Sequence, residues 1–184
     1  MRSVLENLDG RYEESLRDLA RYPRDVVDQG PIYLPRSLLA GLTHVAMNDR
    51  APAHPQCEAA RGMLEKEIAR EPRDARKRAA MGLTLACLGR REEAIREARL
   101  AADSVPVTRD AIDGPYYQEN LARVYAAVGE ADAACDILEK QLAIPSGTVV
   151  SILRLDPAWA PLRTFPRVRT LIGQSLPAKT SDAR

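Results

Sequence analysis

Residues suited to a left-handed backbone turn recur along this chain at nearly constant spacing. They are Gly10, Asn48, Gly89 and Gly129, separated by 38, 41 and 40 residues. Gly89 and Gly129 are each followed five residues later by alanine (Ala94, Ala134) and preceded four residues earlier by a large side chain (Leu85, Tyr125). Self-similarity at this period, with helical patterning between the turns, marks a solenoid of stacked helix pairs. Such a stack offers an extended surface, so the pattern points to binding rather than to a chemical step.

Composition agrees with helix-on-helix packing. Hydrophobic residues make up 45% of the chain but aromatics only 4%, and small side chains let helices cross closely where a β-sandwich would call for Val, Ile, Thr and Tyr. The net charge of +1 gives no overall pull toward nucleic acid or anionic membrane. No apolar run approaches the ~20 residues that span a bilayer, and the opening residues MRSVLENLDG lack the apolar core of a secretory leader. The expected location is the cytoplasm. Charge is nonetheless uneven: residues 101–150 are acidic on balance, and the stretches on either side are basic. Complementary seams between stacked units account for this.

Residues 75–108 form the clearest unit. Met81, Leu85 and Leu88 repeat on one helical face, Gly89 ends that helix, and Ala94, Ile95, Ala98, Ala101 and Ala102 form the inner face of a second helix from Arg91 to Asp103. Pro106 stops it. Residues 115–148 repeat the plan, with Leu121, Val124, Tyr125 and Val128 before Gly129 and Ala134, Ile137, Leu138 and Leu142 after it. A looser unit has a first helix over Pro35–Met47, Asn48 at the turn, and a second helix over Ala53–Arg70, in which Pro52 and Pro55 must fall in or before the first turn. Residues 11–22 look like a second helix whose partner, Arg2–Leu8, is short; Val4, Leu5 and Leu8 would then be an uncovered apolar end. In the final stretch Pro157, Pro161 and Pro166 each suit the start of a short helix, and Trp159 and Phe165 serve as wedges closing the last unit.

Gly82, Leu85, Gly89, Ala94, Ala101 and Pro106, with Ala122, Tyr125, Gly129 and Ala134 in the next unit, resemble the tetratricopeptide repeat family. Arg78 and Gln118 stand where that family places tryptophan. The closing segment is similar to the end of tetratricopeptide arrays in large bacterial signalling proteins. The resemblance implies an all-α, right-handed α-solenoid of helix-turn-helix repeats with a C-terminal capping segment. It would span 1–173, as a partial repeat 1–30, a degenerate repeat 31–73, repeats 74–110 and 114–148, and capping helices 149–173, with a disordered tail 174–184. It implies a non-catalytic module that binds a protein or peptide in its concave groove, within a bacterial signalling or regulatory system.

Transferred by repeat position, the groove would be lined by Leu38 and Leu42, by Arg76, Ala79, Leu83 and Ala86, and by Tyr116, Glu119, Asn120, Arg123 and Ala127. Arg76, Leu83, Tyr116, Glu119, Asn120 and Arg123 are the residues expected to hold the partner, the arginines and Asn120 by directed hydrogen bonds. The family's two-carboxylate clamp is not expected, because Leu42 and Ala80 occupy positions where it needs polar groups. The alternative role is self-association, a homodimer formed through the uncapped N-terminal face.

Chemistry is otherwise sparse. His44 falls at a packing position and His54 between prolines, and no HExxH, phosphate-loop or GxSxG pattern occurs. Neither an enzyme nor a metal or cofactor site is expected. Arg73, Arg76, Lys77, Arg78, Arg90 and Arg91 form a basic patch, but no aromatics are interleaved for base stacking, so nucleic acid is not an expected partner. Cys57, Cys87 and Cys135 match neither zinc nor redox spacing and read as buried small apolar residues.

Overall fold

The computed structural model describes residues 7–145 and 147–174. Val4 and Leu5, and the expected tail over 175–184, lie outside the described residues. The chain is mostly helical. In order it forms α1 (Tyr12–Arg21), β1 (Val26–Gln29), β2 (Ile32–Pro35), α2 (Arg36–Ala46), α3 (Arg50–Arg70), α4 (Ala75–Cys87) and α5 (Arg91–Ser104). There follow α6 (Gly114–Ala127), α7 (Ala131–Leu142), α8 (Val150–Leu155), a 3-10 helix (Pro157–Leu162) and α9 (Pro166–Gln174).

The recurring turn residues do what their spacing implied. Gly10, Gly89 and Gly129 take φ of 74°, 75° and 83°, and Asn48, at 57°, is the one non-glycine residue with positive φ among the described residues. The turns after α2, α4 and α6 share one hydrogen-bond pattern. The amide following the turn residue donates to the carbonyl five residues back (Asp49 to His44, Arg90 to Leu85, Glu130 to Tyr125, each 2.9 Å). The turn residue's own amide donates three residues back, Asn48 to Val45 and Gly89 to Ala86. This Schellman pairing satisfies the last carbonyls of the helix and reverses the chain.

Each reversal pairs two helices: α2 with α3, α4 with α5, α6 with α7. The first helix of a pair also packs on both helices of the pair before it, α4 on α2 and α3, and α6 on α4 and α5. Small residues set the crossings. A Cβ on Gly82 would sit 3.0 Å from the Ala98 Cβ and 3.1 Å from its amide nitrogen, so α4 and α5 touch backbone to backbone. Ala94, Ala98, Ala101, Ala102, Ala122 and Ala134 are at most 1% exposed. The fully enclosed large side chains, Leu38, Leu64, Val124, Leu138, Leu153 and Trp159, run through one continuous core.

Three local expectations are corrected. The chain is not all helix: β1 and β2 form an antiparallel hairpin with Gln29 opposite Ile32 and a two-residue Gly30–Pro31 loop. Proline cannot take positive φ, so of the turns that suit hairpin twist only the kind with glycine first is open, and Gly30 has φ of 55°. The expected boundary between 1–30 and 31–73 therefore falls inside this turn. Second, α3 starts at Arg50, ahead of Ala53, so Pro55 lies past the first turn. The carbonyl that its missing amide would have met belongs to Ala51, and both residues are on the exposed face, where water can serve that carbonyl. Third, Pro157 and Pro166 open helices, but Pro161 lies inside the 3-10 helix.

Candidate binding face

The first helices of the pairs, α2, α4 and α6, carry the face to which the sequence assigned binding. The hairpin packs through β2 against α4 and α2, and the 3-10 helix packs against α6. The face is thus bordered by a hairpin at one end and a cap at the other, and the two arginines expected to meet a partner hold these borders.

Arg76 donates through Nε and Nη2 to Asp74 (3.1 and 2.8 Å) and through Nη1 to Asp28 of β1 (2.8 Å). Its guanidinium lies 5.9 Å from the Tyr33 ring centre. Asp74 also accepts from the Arg76 amide and so caps α4. Burial would raise the Asp74 carboxyl, but the hydrogen bonds from Arg76 more than reverse this and its pKa falls. Beside it Lys77, 3% exposed, reaches Glu67 and Glu71 at 3.1 Å each and lies 5.4 Å from the Tyr33 ring centre. Burial alone would lower the Lys77 pKa; the hydrogen bonds it donates to Glu71 and Glu67 raise it. Tyr33 is the plug of the hairpin, 8% exposed under two cations.

At the other end Arg123 donates to Glu119 through Nε and Nη2 (3.1 and 2.7 Å) and pairs through Nη1 with Asp156 (2.7 Å). Its guanidinium lies 5.0 Å from the Trp159 ring centre, a stacking arginine can make and lysine matches poorly. Asp156 caps the 3-10 helix by accepting from the Ala158 amide at 2.9 Å. Arg123 thereby ties α6, the cap and the indole together.

The remaining candidates differ in reach. Leu83 is 9% exposed and Asn120 5%, with the Asn120 amide donating to the Tyr116 carbonyl at 2.8 Å. Tyr116 is half-buried and meets Tyr117 edge to face, ring centres 5.5 Å apart. Leu38 and Ala79, expected on the face, are core residues at 0% and 2% exposure. Leu42, Ala86 and Tyr116 are half-buried and Ala127 is exposed. These four, with the edges of Leu83 and Asn120, are what the candidate positions on α2, α4 and α6 leave accessible.

A shallow cleft of about 700 Å3 adjoins Arg76, lined by Pro72, Arg73, Asp74, Val105 and Tyr117. Burial, then the charge of Asp113, pushes the Tyr117 hydroxyl up to about 12. The folded chain therefore keeps the Tyr117 proton over a range, from about pH 10 to 12, in which the unfolded chain has lost it. Stability from this group is intact below pH 10 and drains away as pH rises toward 12. Burial raises Tyr33 and Tyr116 as well, so urea unfolding is expected to show a loss of at least about 2 kcal/mol between pH 9.5 and 11.5, smaller by about that amount in Tyr117→Phe. An equal loss in the variant would place the effect elsewhere.

Arg73 apart, the cations of the basic patch meet carboxylates within the chain. Arg78 pairs with Glu97 and Arg90 with Glu93, both at 2.7 Å, and Arg91 pairs with Glu130. Among the described residues no group of three or more His, Cys, Asp and Glu is placed to hold a metal ion.

The cysteine reading is corrected as well. Cys57 and Cys87 form a disulfide with Cα atoms 6.4 Å apart, linking α3 to the end of α4; Cys135 alone is a buried free thiol. The two lie 30 residues apart, and only the packing of one pair on the next brings them together. No local motif could have announced them.

Compared with models of known families, with curated proteins and with solved structures, the chain gives no match in any of the three.

Proposed function

We propose that the chain is a non-catalytic protein-interaction module, a right-handed tetratricopeptide-like stack that holds an extended peptide or protein segment along α2, α4 and α6. The observation that carries this reading is the face itself. Half-buried Leu42, Ala86 and Tyr116 and exposed Ala127 lie on three first helices, of which α4 is tied to the hairpin by Arg76–Asp28 and α6 to the cap by Arg123–Asp156. The shared Schellman turns and the packing of each first helix on the preceding pair support the stack.

Arg76 and Arg123 belong to this reading as the residues that shape the groove, since their donors already have acceptors. Contact with the partner falls to the apolar strip, with Tyr116 as a flat amphipathic surface and Asn120 at its floor. A role in a bacterial signalling or regulatory assembly rests on the resemblance of the repeat positions alone. A cytoplasmic setting fits the absence, among the described residues, of a helix long and apolar enough to cross a membrane. It fits the disulfide less well, because cytosolic thiols are kept reduced.

Ala86→Glu tests the reading. The side chain is half-buried on the face and its replacement adds a charge where a partner would lie. Affinity for a peptide selected against the wild-type chain is expected to fall at least ten-fold, about 1.4 kcal/mol, with the urea midpoint little changed. Unaltered affinity would remove the face from the binding site.

A further inference from the structure

We propose that the Cys57–Cys87 disulfide is a thiol-exchange site of fixed polarity. Incoming thiols attack Cys87, Cys57 leaves, and exchange loosens the seam beneath the binding face. Its consequence for binding rests on the function proposed above; its chemistry does not.

The two sulfurs stand in unlike surroundings. Cys57 is 0% exposed, in the middle of α3. Its Sγ fills the notch left by Gly41 on α2, so closely that a Cβ at Gly41 would collide with it. Helix α2 therefore covers Cys57. Cys87 is the last residue of α4, half-buried, and it leads into the Leu88–Gly89 turn. Exchange requires a thiolate to approach one sulfur in line with the bond to be broken. Approach is closed by α2 on the side of Cys57, and the partial exposure of Cys87 leaves its side the more accessible of the two.

The step balances with a small thiol as reductant. A thiolate, RS⁻, bonds to the Cys87 sulfur as the Cys57–Cys87 bond breaks, and Cys57 departs as a thiolate that is protonated once the loosened seam admits water. A second RS⁻ then attacks the mixed disulfide at the R sulfur, giving R–S–S–R and the Cys87 thiolate. An oxidised small disulfide runs the sequence in reverse, with Cys57 closing on the Cys87 adduct. Cys135, 0% exposed, has its thiol pKa raised chiefly by burial and stays out of the exchange.

The bond sits where it can affect the face. It is the covalent tie between α3 of one pair and α4 of the next, and Cys57 touches α2. Gly41 and Cys87 immediately adjoin Leu42 and Ala86, the half-buried residues offered on α2 and α4. A reversible bond here also reconciles a disulfide with a reducing compartment.

The test uses the full chain, in native buffer, with reduced glutathione as the probe. The rate of reduction is expected to rise in proportion to glutathione concentration. Acid quench and peptide mass mapping should find the glutathione adduct on Cys87 at least ten-fold more often than on Cys57. A rate that levels off at the unfolding rate, or an adduct chiefly on Cys57, would overturn the assigned polarity. In the reduced protein, amides of residues 41–47 and 84–90 should exchange hydrogen at least ten-fold faster while those of α7 keep their rates. Unchanged rates, or a uniform increase over the chain, would overturn the link to the seam. None of these readouts needs a partner, so failure of the binding face and failure of the exchange site are told apart.

Discussion

Trp159→Ala is expected to cost the fold about 3–5 kcal/mol, the range for emptying a large buried aromatic site. The indole is 0% exposed in the 3-10 helix, under the Arg123 guanidinium and against α6. Removing it leaves a cavity that a short helix pinned by the Asp156 cap has little freedom to fill. It also takes the ring from Arg123, loosening the cap's hold on α6. Trp159→Phe separates size from polarity: among the described residues the buried indole N–H has no hydrogen-bond partner, so the phenyl ring sacrifices volume only. Its cost should be well under half that of alanine. Because the chain has a single tryptophan, unfolding must be followed by far-ultraviolet circular dichroism. A loss below 1 kcal/mol in Trp159→Ala would mean that the cap is not part of the cooperative fold.

The second large effect belongs to the disulfide. Cross-linking residues 30 apart removes chain entropy from the unfolded state worth about 3–4 kcal/mol at 25 °C. The double variant Cys57→Ser, Cys87→Ser should lose about that much in urea unfolding, plus about 1 kcal/mol for placing a hydroxyl in the Gly41 notch. Cys57→Ala, Cys87→Ala avoids the second cost. If wild-type protein unfolded with the same midpoint before and after full reduction, the bond would contribute nothing to stability.

What the sequence disclosed and what it hid divide along a physical line. Left-handed turns are local, and only glycine or asparagine takes them cheaply, so Gly10, Asn48, Gly89 and Gly129 stood out without knowledge of the fold. Close crossings leave a similar trace, as in Gly82 against Ala98. The hairpin left almost none, because four-residue strands are too short to show alternation and Gly30–Pro31 is not the usual asparagine–glycine signal. The start of α3 was misplaced because proline was weighed as a helix breaker without knowing that the orphaned Ala51 carbonyl would face solvent.

The face proposed for binding was legible only in part. Repeat position brought Leu42, Ala86, Tyr116 and Ala127 to it. It could not say that Arg76 would be met by Asp28, 48 residues away, or Arg123 by Asp156 and Trp159. Those pairings depend on where the hairpin and the cap fold back. They turn two expected ligand-binding arginines into clamps; the cysteine pair was hidden for a different reason, since it forms only when α4 packs on α3 of the preceding pair.

The central claim is that α2, α4 and α6 present one continuous surface to an extended partner. Mapping by nuclear magnetic resonance tests it most directly: a peptide selected from a random displayed library is titrated into isotope-labelled protein and the shifted amides are placed on the fold. The account predicts shifts concentrated at Leu42, Leu83, Ala86, Tyr116, Asn120 and Ala127, with Ile95, Leu100 and Ile137 on the second helices unmoved. Shifts gathered on α5 and α7 instead, or a library that yields no binder, would contradict it.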